Sequence, residues 1–277
     1  MNSVTSKDGT TIAFDRSGKG PAVILVGGAL GVRSQPMMAD LAAHLAARFT
    51  VYNYDRRGRG DSGDTLPYAM EREVEDIEAI IDIAGGSASL YGLSSGAVLA
   101  LEATSKLPAK VSKLALYEPP FITDDSHPPL RKDYVQRLDE LIAAGRRGDA
   151  VEVFMTDAIG IPAEYVAMMR NAPVPTEQAP NQPPPWAEME KVAHTLAYDG
   201  RLMGDTMSGN PLPTDRWISA TAPTLVITGG NSEAFFHNGA RALVGGLPDA
   251  KHRILEGQDH AVAPGVLAPV LVDFFSA

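Results

Sequence analysis

Two short β-prone runs open the chain, Val4 to Ser6 and Thr11 to Asp15, separated by Lys7-Asp8-Gly9-Thr10. An Asp-Gly pair between such runs predicts a hairpin, because these residues accept the positive φ angles of a tight turn. Apolar runs and helix-spaced segments then alternate. Ala22 to Val26 is continuously apolar, the pattern of a strand buried on both faces. Met37 to Arg48 has helical spacing, and Phe49 to Tyr54 reads as a strand. Met70 to Ala84 is helical, with Ile77, Ile80 and Ile81 on one side. Ala88 to Tyr91 is a strand, Ser95 to Leu107 a helix and Val111 to Tyr117 a strand. The alternation resumes late, with strands at Thr224 to Thr228 and His252 to Leu255 and helices at Phe235 to Val244 and Val266 to Phe275. A repeated strand–helix order of this kind implies an α/β fold, a mostly parallel sheet covered by helices on both faces.

Between Pro119 and Thr221 the alternation is lost. Leu130 to Ala144 and Asp149 to Ile159 read as amphipathic helices, and Trp186 to Ala197 as another. Between the second and third lies a connector, Pro173 to Pro185, whose six prolines break any regular pattern. A helical block inserted into a parallel-sheet pattern reads as a lid over the carboxyl edge of the sheet, where ligands of open α/β sheets bind. A separate helical domain with no part in the site is the plainer alternative. The expected organisation is a core of residues 1–118 and 222–277 and a helical lid of residues 119–221.

Composition narrows the chemistry. The 277 residues are 44% hydrophobic, enough for a large core, and carry a net charge of −10. The one dense basic run is Arg56, Arg57 and Arg59, so neither nucleic acid nor an anionic membrane is an expected partner. The chain has no cysteine, which removes disulfides, thiolate metal sites and cysteine nucleophiles. No basic segment followed by an apolar one opens the chain, and no run reaches about 18 apolar residues, so the expectation is a cytoplasmic protein without a signal peptide or membrane span.

Gly92-Leu93-Ser94-Ser95-Gly96 follows a predicted strand and precedes a predicted helix. This is G-x-S-x-G in the setting that gives it meaning. A serine on a sharp strand-to-helix turn needs small residues two positions to either side, so that strand and helix can approach. Gly92 and Gly96 meet that need around Ser94. Centring the motif on Ser95 would place Leu93 and Ala97 there, a poorer fit. The start of the helix also points free N–H groups at developing negative charge. A Gly-rich turn without chemistry is the plainer reading.

With this motif the chain resembles the α/β-hydrolase family over nearly its whole length. Val26-Gly27-Gly28-Ala29 stands where such enzymes place an oxyanion loop. Asp55-Arg56-Arg57-Gly58-Arg59-Gly60-Asp61-Ser62 resembles the family's D-x-R-G-x-G-x-S loop, and Gly257-Gln258-Asp259-His260 its histidine loop. The resemblance implies an oxyanion hole from the amides of Ser95 and Gly28, with Ala29 the next choice. The family often has His-Gly where this chain has Val26-Gly27, which removes side-chain support but not the backbone donor. Of six histidines, only His260 falls in a loop at the carboxyl end of a strand, where an imidazole can take the proton of Ser94.

The third catalytic member departs from the common pattern. Many family members carry the acid just after the strand at Thr224 to Thr228, but that loop here reads Gly229-Gly230-Asn231-Ser232-Glu233. Asn231 cannot supply the charge that stabilises an imidazolium. Glu118, ending the strand after the nucleophile helix, occupies the position used by some haloalkane dehalogenases and by the zearalenone-type lactone hydrolases, whose elbow Gly92 to Ala97 also resembles. Glu118 is therefore assigned as the acid, with Glu233 and Asp124 in reserve. The arginine run is read as structural turn contacts. Among apolar lid residues, Met155, Ile159, Met168, Met169, Trp186 and Met203 are candidates to line a pocket, as is Ala29 in the oxyanion loop.

The resemblance implies hydrolysis of a small-molecule carboxylic ester or lactone through an acyl-enzyme on Ser94, with no metal and no organic cofactor. Serine in place of aspartate sets aside dehalogenase and epoxide hydrolase chemistry. Carbon–carbon bond hydrolysis on the same triad, thioester hydrolysis and a cofactor-free lyase stay open. So does a ligand-binding or receptor-like protein with little turnover, for which Asn231 and Val26 are the motive. Oligomeric state and natural substrate are not readable.

Overall fold

The computed structural model describes residues 2–172, 185–213 and 215–277. The hairpin is β1 (Asn2–Thr5) and β2 (Thr11–Ser17), closed at its turn by Ser6 N–H donating to the Thr10 carbonyl. The chain continues through β3 (Ala22–Val26), α1 (Pro36–Leu45), β4 (Thr50–Tyr54), α2 (Met70–Ile83), β5 (Ala88–Leu93), α3 (Ser95–Lys106) and β6 (Val111–Tyr117). After the insertion come β7 (Thr224–Gly229), α9 (Ala234–Gly246), β8 (Ala250–Leu255) and α10 (Pro264–Ser276). The eight strands form one sheet in the order β1-β2-β4-β3-β5-β6-β7-β8, antiparallel through β2 and parallel from β4 onward.

β4, β5 and β7 are buried along their whole length, as strands covered on both faces must be. One core layer joins α2, α3 and α9 to the sheet through residues such as Ile77, Leu90, Ala100 and Leu243. The opposite layer joins α1 and α10 through Leu41, Leu45, Leu267 and Leu271. In α3 every residue from Ser95 to Thr104 is buried, which suits its small side chains. The central strands end at a common edge, and the loops leaving β3, β5, β6, β7 and β8 meet there. No helix is long and apolar enough to cross a membrane among the described residues.

The helical insertion between β6 and β7, the lid of the sequence reading, is α4 (Tyr134–Ala143), α5 (Arg147–Val153), a π-turn (Phe154–Ala158), α6 (Ala163–Asn171), α7 (Trp186–Val192) and α8 (Leu196–Met203). Its core reaches down to Leu30 and Ala29. Three segments differ from the pattern reading. α4 starts at Tyr134, because Leu130 N–H is committed to the Met207 carbonyl at 2.8 Å. The helix expected from Trp186 to Ala197 is broken by a 3₁₀ turn at Ala193–Thr195, where the Thr195 hydroxyl donates to the Val192 carbonyl at 2.7 Å. α6 gave no readable stripe, since Val166 is its one buried residue. The proline connector, apart from Pro185, lies outside the described residues.

Candidate active site

Ser94 stands between β5 and α3 with φ 55° and ψ −123°, a left-handed conformation that costs a non-glycine residue of order 1–3 kcal/mol. The packing around it holds this turn in place. A Cβ on Gly96 would fall 2.3 Å from the Val26 carbonyl oxygen, and one on Gly92 would fall 2.5 Å from the Ala97 Cα. The elbow can therefore close only with glycine on both sides. The Ser95 N–H, in the first turn of α3, has no intrahelical partner. Gly28 reaches the same place from β3: a Cβ there would lie 3.2 Å from Ser94 Cβ and 3.8 Å from its Oγ.

Glu118 is fully buried and, like Ser94, has a positive φ, at 48°. Its N–H still extends the β6–β7 ladder by donating to the Ile227 carbonyl at 3.0 Å, so the bend comes just beyond the strand. The carboxylate accepts two hydrogen bonds: Oε1 from the Gly229 N–H at 2.7 Å and Oε2 from His260 Nδ1 at 2.7 Å. These bonds offset the cost of burying the charge. With Nδ1 so engaged, Nε2 of His260 is the imidazole atom left for Ser94, and both residues line the same two cavities.

The histidine loop is clamped from three sides. The Tyr117 hydroxyl donates to the Asp259 carbonyl at 2.6 Å; burial and the neighbouring Glu118 raise its pKa, which keeps it a donor. The Phe236 ring stacks on the imidazole at 5.0 Å. Gly229 packs so close beneath the loop that a Cβ would sit 2.4 Å from the Gln258 carbonyl oxygen. Asn231 is exposed, and its backbone N–H donates to the same carbonyl. Of the reserve acids, Asp124 is held by Ser126 and Asn238, while Glu233 is exposed at the start of α9.

The cavity on the oxyanion side has about 340 Å³ and is walled by Ala29, Met38, Met155, Met189 and Ile159. The other has about 170 Å³ and is walled by Tyr134, Phe154, Met203, Met207 and Phe235. Ala29, Phe154 and Ile159 belong to both; Phe154 opens the π-turn and Ile159 follows it. Met155 and Met203 stand at the cavities. Trp186 does not, which corrects the sequence reading. Its indole N–H donates to Glu190 at 3.2 Å and packs beside Gly148 of α5; Met189, one turn on, lines the cavity instead. Met168 is exposed and Met169 lines neither cavity.

The arginine run also has a fuller role than turn contacts. All three guanidiniums are about 1% exposed. Arg57 pairs with Asp76 and Asp8. Arg56 makes a two-bond pair with Glu73 and a third bond to Asp199, and Arg59 also binds Asp199. Asp199 comes from lid helix α8, more than 130 residues away in sequence, and no local pattern marks it.

Comparison with known proteins agrees with this architecture. A sequence model of the alpha/beta hydrolase family matches residues 23–268. A structure of an alpha/beta hydrolase from Sphaerobacter thermophilus DSM 20745 is similar at 52% identity and TM-score 0.87, covering 99% of this chain and all of that one. The enol-lactonase from Burkholderia xenovorans LB400 shares the fold at 18% identity and TM-score 0.72 over the full length of both chains. The uncharacterized hydrolase YraK of Bacillus subtilis (strain 168) is 31% identical over 122 residues, 43% of this chain and 44% of that protein's own length. The match over residues 23–268, in agreement with the elbow serine, the sheet order and the inserted helices, places this chain in the alpha/beta hydrolase family.

Proposed function

We propose that this chain is a serine hydrolase that cleaves a carboxylic ester or lactone through an acyl-enzyme on Ser94. The observation that carries the reading is the 2.7 Å bond from His260 Nδ1 to a Glu118 carboxylate that is wholly buried. That bond fixes the tautomer that presents Nε2 as a base toward the serine, and it stabilises the imidazolium once formed. It also removes the motive for a non-catalytic binding protein, because the charge that Asn231 lacks is supplied by the neighbouring strand.

The steps follow from the atoms present. Ser94 Oγ adds to the acyl carbonyl carbon as its proton passes to His260 Nε2. The oxyanion accepts hydrogen bonds from the Ser95 amide and from the loop after β3, at the Gly28 amide with Ala29 beside it, donors of a kind worth about 10²–10³-fold in rate. The carbon–oxygen bond to the leaving group breaks as His260 returns the proton to the departing oxygen. Water then attacks the acyl-enzyme by the same route and frees Ser94. The apolar walls of both cavities favour small substrates with largely apolar groups on each side of the scissile bond. Intact-mass analysis with a fluorophosphonate tests the reading. One adduct on the wild type and none on Ser94→Ala supports it; a folded wild type that takes no adduct and hydrolyses no member of an ester and lactone panel defeats it.

A further inference from the structure

Two carbonyls of the oxyanion loop are held by buried arginines. Arg59 Nη1 donates to the Gly28 carbonyl at 2.5 Å, and Arg56 Nη1 donates to the Gly27 carbonyl at 3.4 Å. In a planar trans peptide the C=O and the next residue's N–H point in opposite directions. Holding the Gly27 carbonyl therefore aims the Gly28 N–H away from the arginines, and holding the Gly28 carbonyl does the same for Ala29. Arg56 also donates to the Ser95 hydroxyl at 3.3 Å, so it touches the residue that carries the other donor.

Both guanidiniums converge on one carboxylate. Arg56 meets Asp199 Oδ1 and Arg59 meets Oδ2, each at 2.8 Å. With Glu73, this makes two cations and two anions in a site that is buried except where Asp199 borders the smaller cavity. Burial alone would raise the Asp199 pKa, but Arg59 and Arg56 outweigh it and hold it below the usual carboxylate range. The carboxylate thus stays charged where the enzyme works. Asp199 belongs to the lid and also stands in the wall of the smaller cavity.

We propose that Asp199, Arg56 and Arg59 are positioning residues for the oxyanion hole, through which seating of lid helix α8 aims and polarises the peptides that carry the Gly28 and Ala29 N–H groups. A cationic donor on an amide oxygen strengthens the donor at the other edge of the same peptide. Removing the lid carboxylate frees the guanidiniums to shift toward Glu73 and loosens the loop. The inference rests on the serine-hydrolase reading.

The test uses 4-nitrophenyl butyrate and its thionocarbonyl analogue, whose sulfur is a poor hydrogen-bond acceptor. Wild type, Asp199→Asn and Arg59→Lys are compared, the last keeping its charge but reaching one acceptor instead of two. Each variant is expected to lose about 10- to 100-fold in kcat on the oxoester with KM nearly unchanged, and the preference for oxoester over thionoester is expected to fall at least about fivefold. Asp199→Glu, which keeps the charge, is expected to recover part of the loss. A folded variant with wild-type kcat, or a fall in kcat with the oxoester preference intact, overturns the proposal, since a merely structural role leaves that preference alone. Should Asp199→Asn not fold, Arg59→Lys decides. Ester hydrolysis that survives Ser94→Ala instead defeats the underlying serine mechanism, and separates that failure from this one.

Discussion

At the residue scale, the proposed chemistry rests on two side chains held on strained backbone. Ser94 and Glu118 both have positive φ, and both are the turning points of chains leaving the carboxyl edge of the sheet. The serine turn exposes its Oγ to both cavities, while the glutamate turn buries its carboxylate between Gly229 and His260. Glu118→Gln keeps the shape but puts an amide where the imidazole needs an acceptor with charge. The expected loss is about 10³–10⁴-fold in kcat in a protein that still folds, checked by steady-state kinetics beside circular dichroism. Gly229→Ala tests the seat of the histidine. Its Cβ would meet backbone of the histidine loop at 2.4 Å, and backbone gives way only by moving the whole loop. Overpacking of this kind costs typically about 1–3 kcal/mol, and it should come with a loss of kcat that Gly245→Ala, whose Cβ meets open space, does not share.

At the element scale, the three arginines after β4 separate two tasks. Arg57 ties that loop to α2 through Asp76 and to the hairpin turn through Asp8, and none of its hydrogen bonds goes to the oxyanion loop. Arg57→Met leaves Asp76 buried without its partner. The expected cost is about 3–5 kcal/mol of stability by urea unfolding, with kcat of the folded enzyme unchanged. The lid rests on the same region through a stacked pair, Tyr68 of the loop before α2 and Tyr198 of α8, with ring centroids 4.1 Å apart, and through the Tyr198 hydroxyl donating to Asp64 at 2.8 Å. This stacking and the Asp199 pairs both fasten α8 to the segment between β4 and α2.

At the scale of the whole molecule, buried ion pairs shape the response to acid. Burial opposes the charged form of Asp8 and of Asp199. Hydrogen bonds from Arg57 and Thr10 at Asp8, and the charges of Arg59 and Arg56 at Asp199, reverse that effect and lower both pKa values. A carboxylate depressed in the folded state stabilises fully above its unfolded pKa, about 3.9, and loses that contribution as pH falls toward the folded value. Asp76, raised chiefly by burial, works in the opposite sense. The urea midpoint should therefore hold from neutral pH to about 5 as far as these pairs are concerned and fall below about 4. Asp8→Asn should flatten that fall, and a midpoint with the same acid slope in both proteins would count against the assignment.

The alternation of apolar runs with helix-spaced segments was sufficient for the α/β fold, because buried parallel strands and their covering helices each write a local period. Val111 to Tyr117 came out with the predicted bounds, and other core elements within a few residues. Ser94 was legible for a similarly local reason: a strand, a tight turn and a helix are contiguous, and Gly92 and Gly96 announce how closely they pack. The lid was less legible, since its helices are short, weakly striped and interrupted, and their faces answer to partners far away in sequence. Trp186 shows the consequence, as an aromatic residue at a plausible position that packs against α5 instead of the cavity. Whether Glu118 would touch His260, 142 residues later, depended on how β6, β7 and β8 lie side by side. The arginines were visible as a charge run, but Asp199, the common partner of Arg56 and Arg59, was not, because pairing in a dry interior is decided by distance in space and leaves no spacing in the chain.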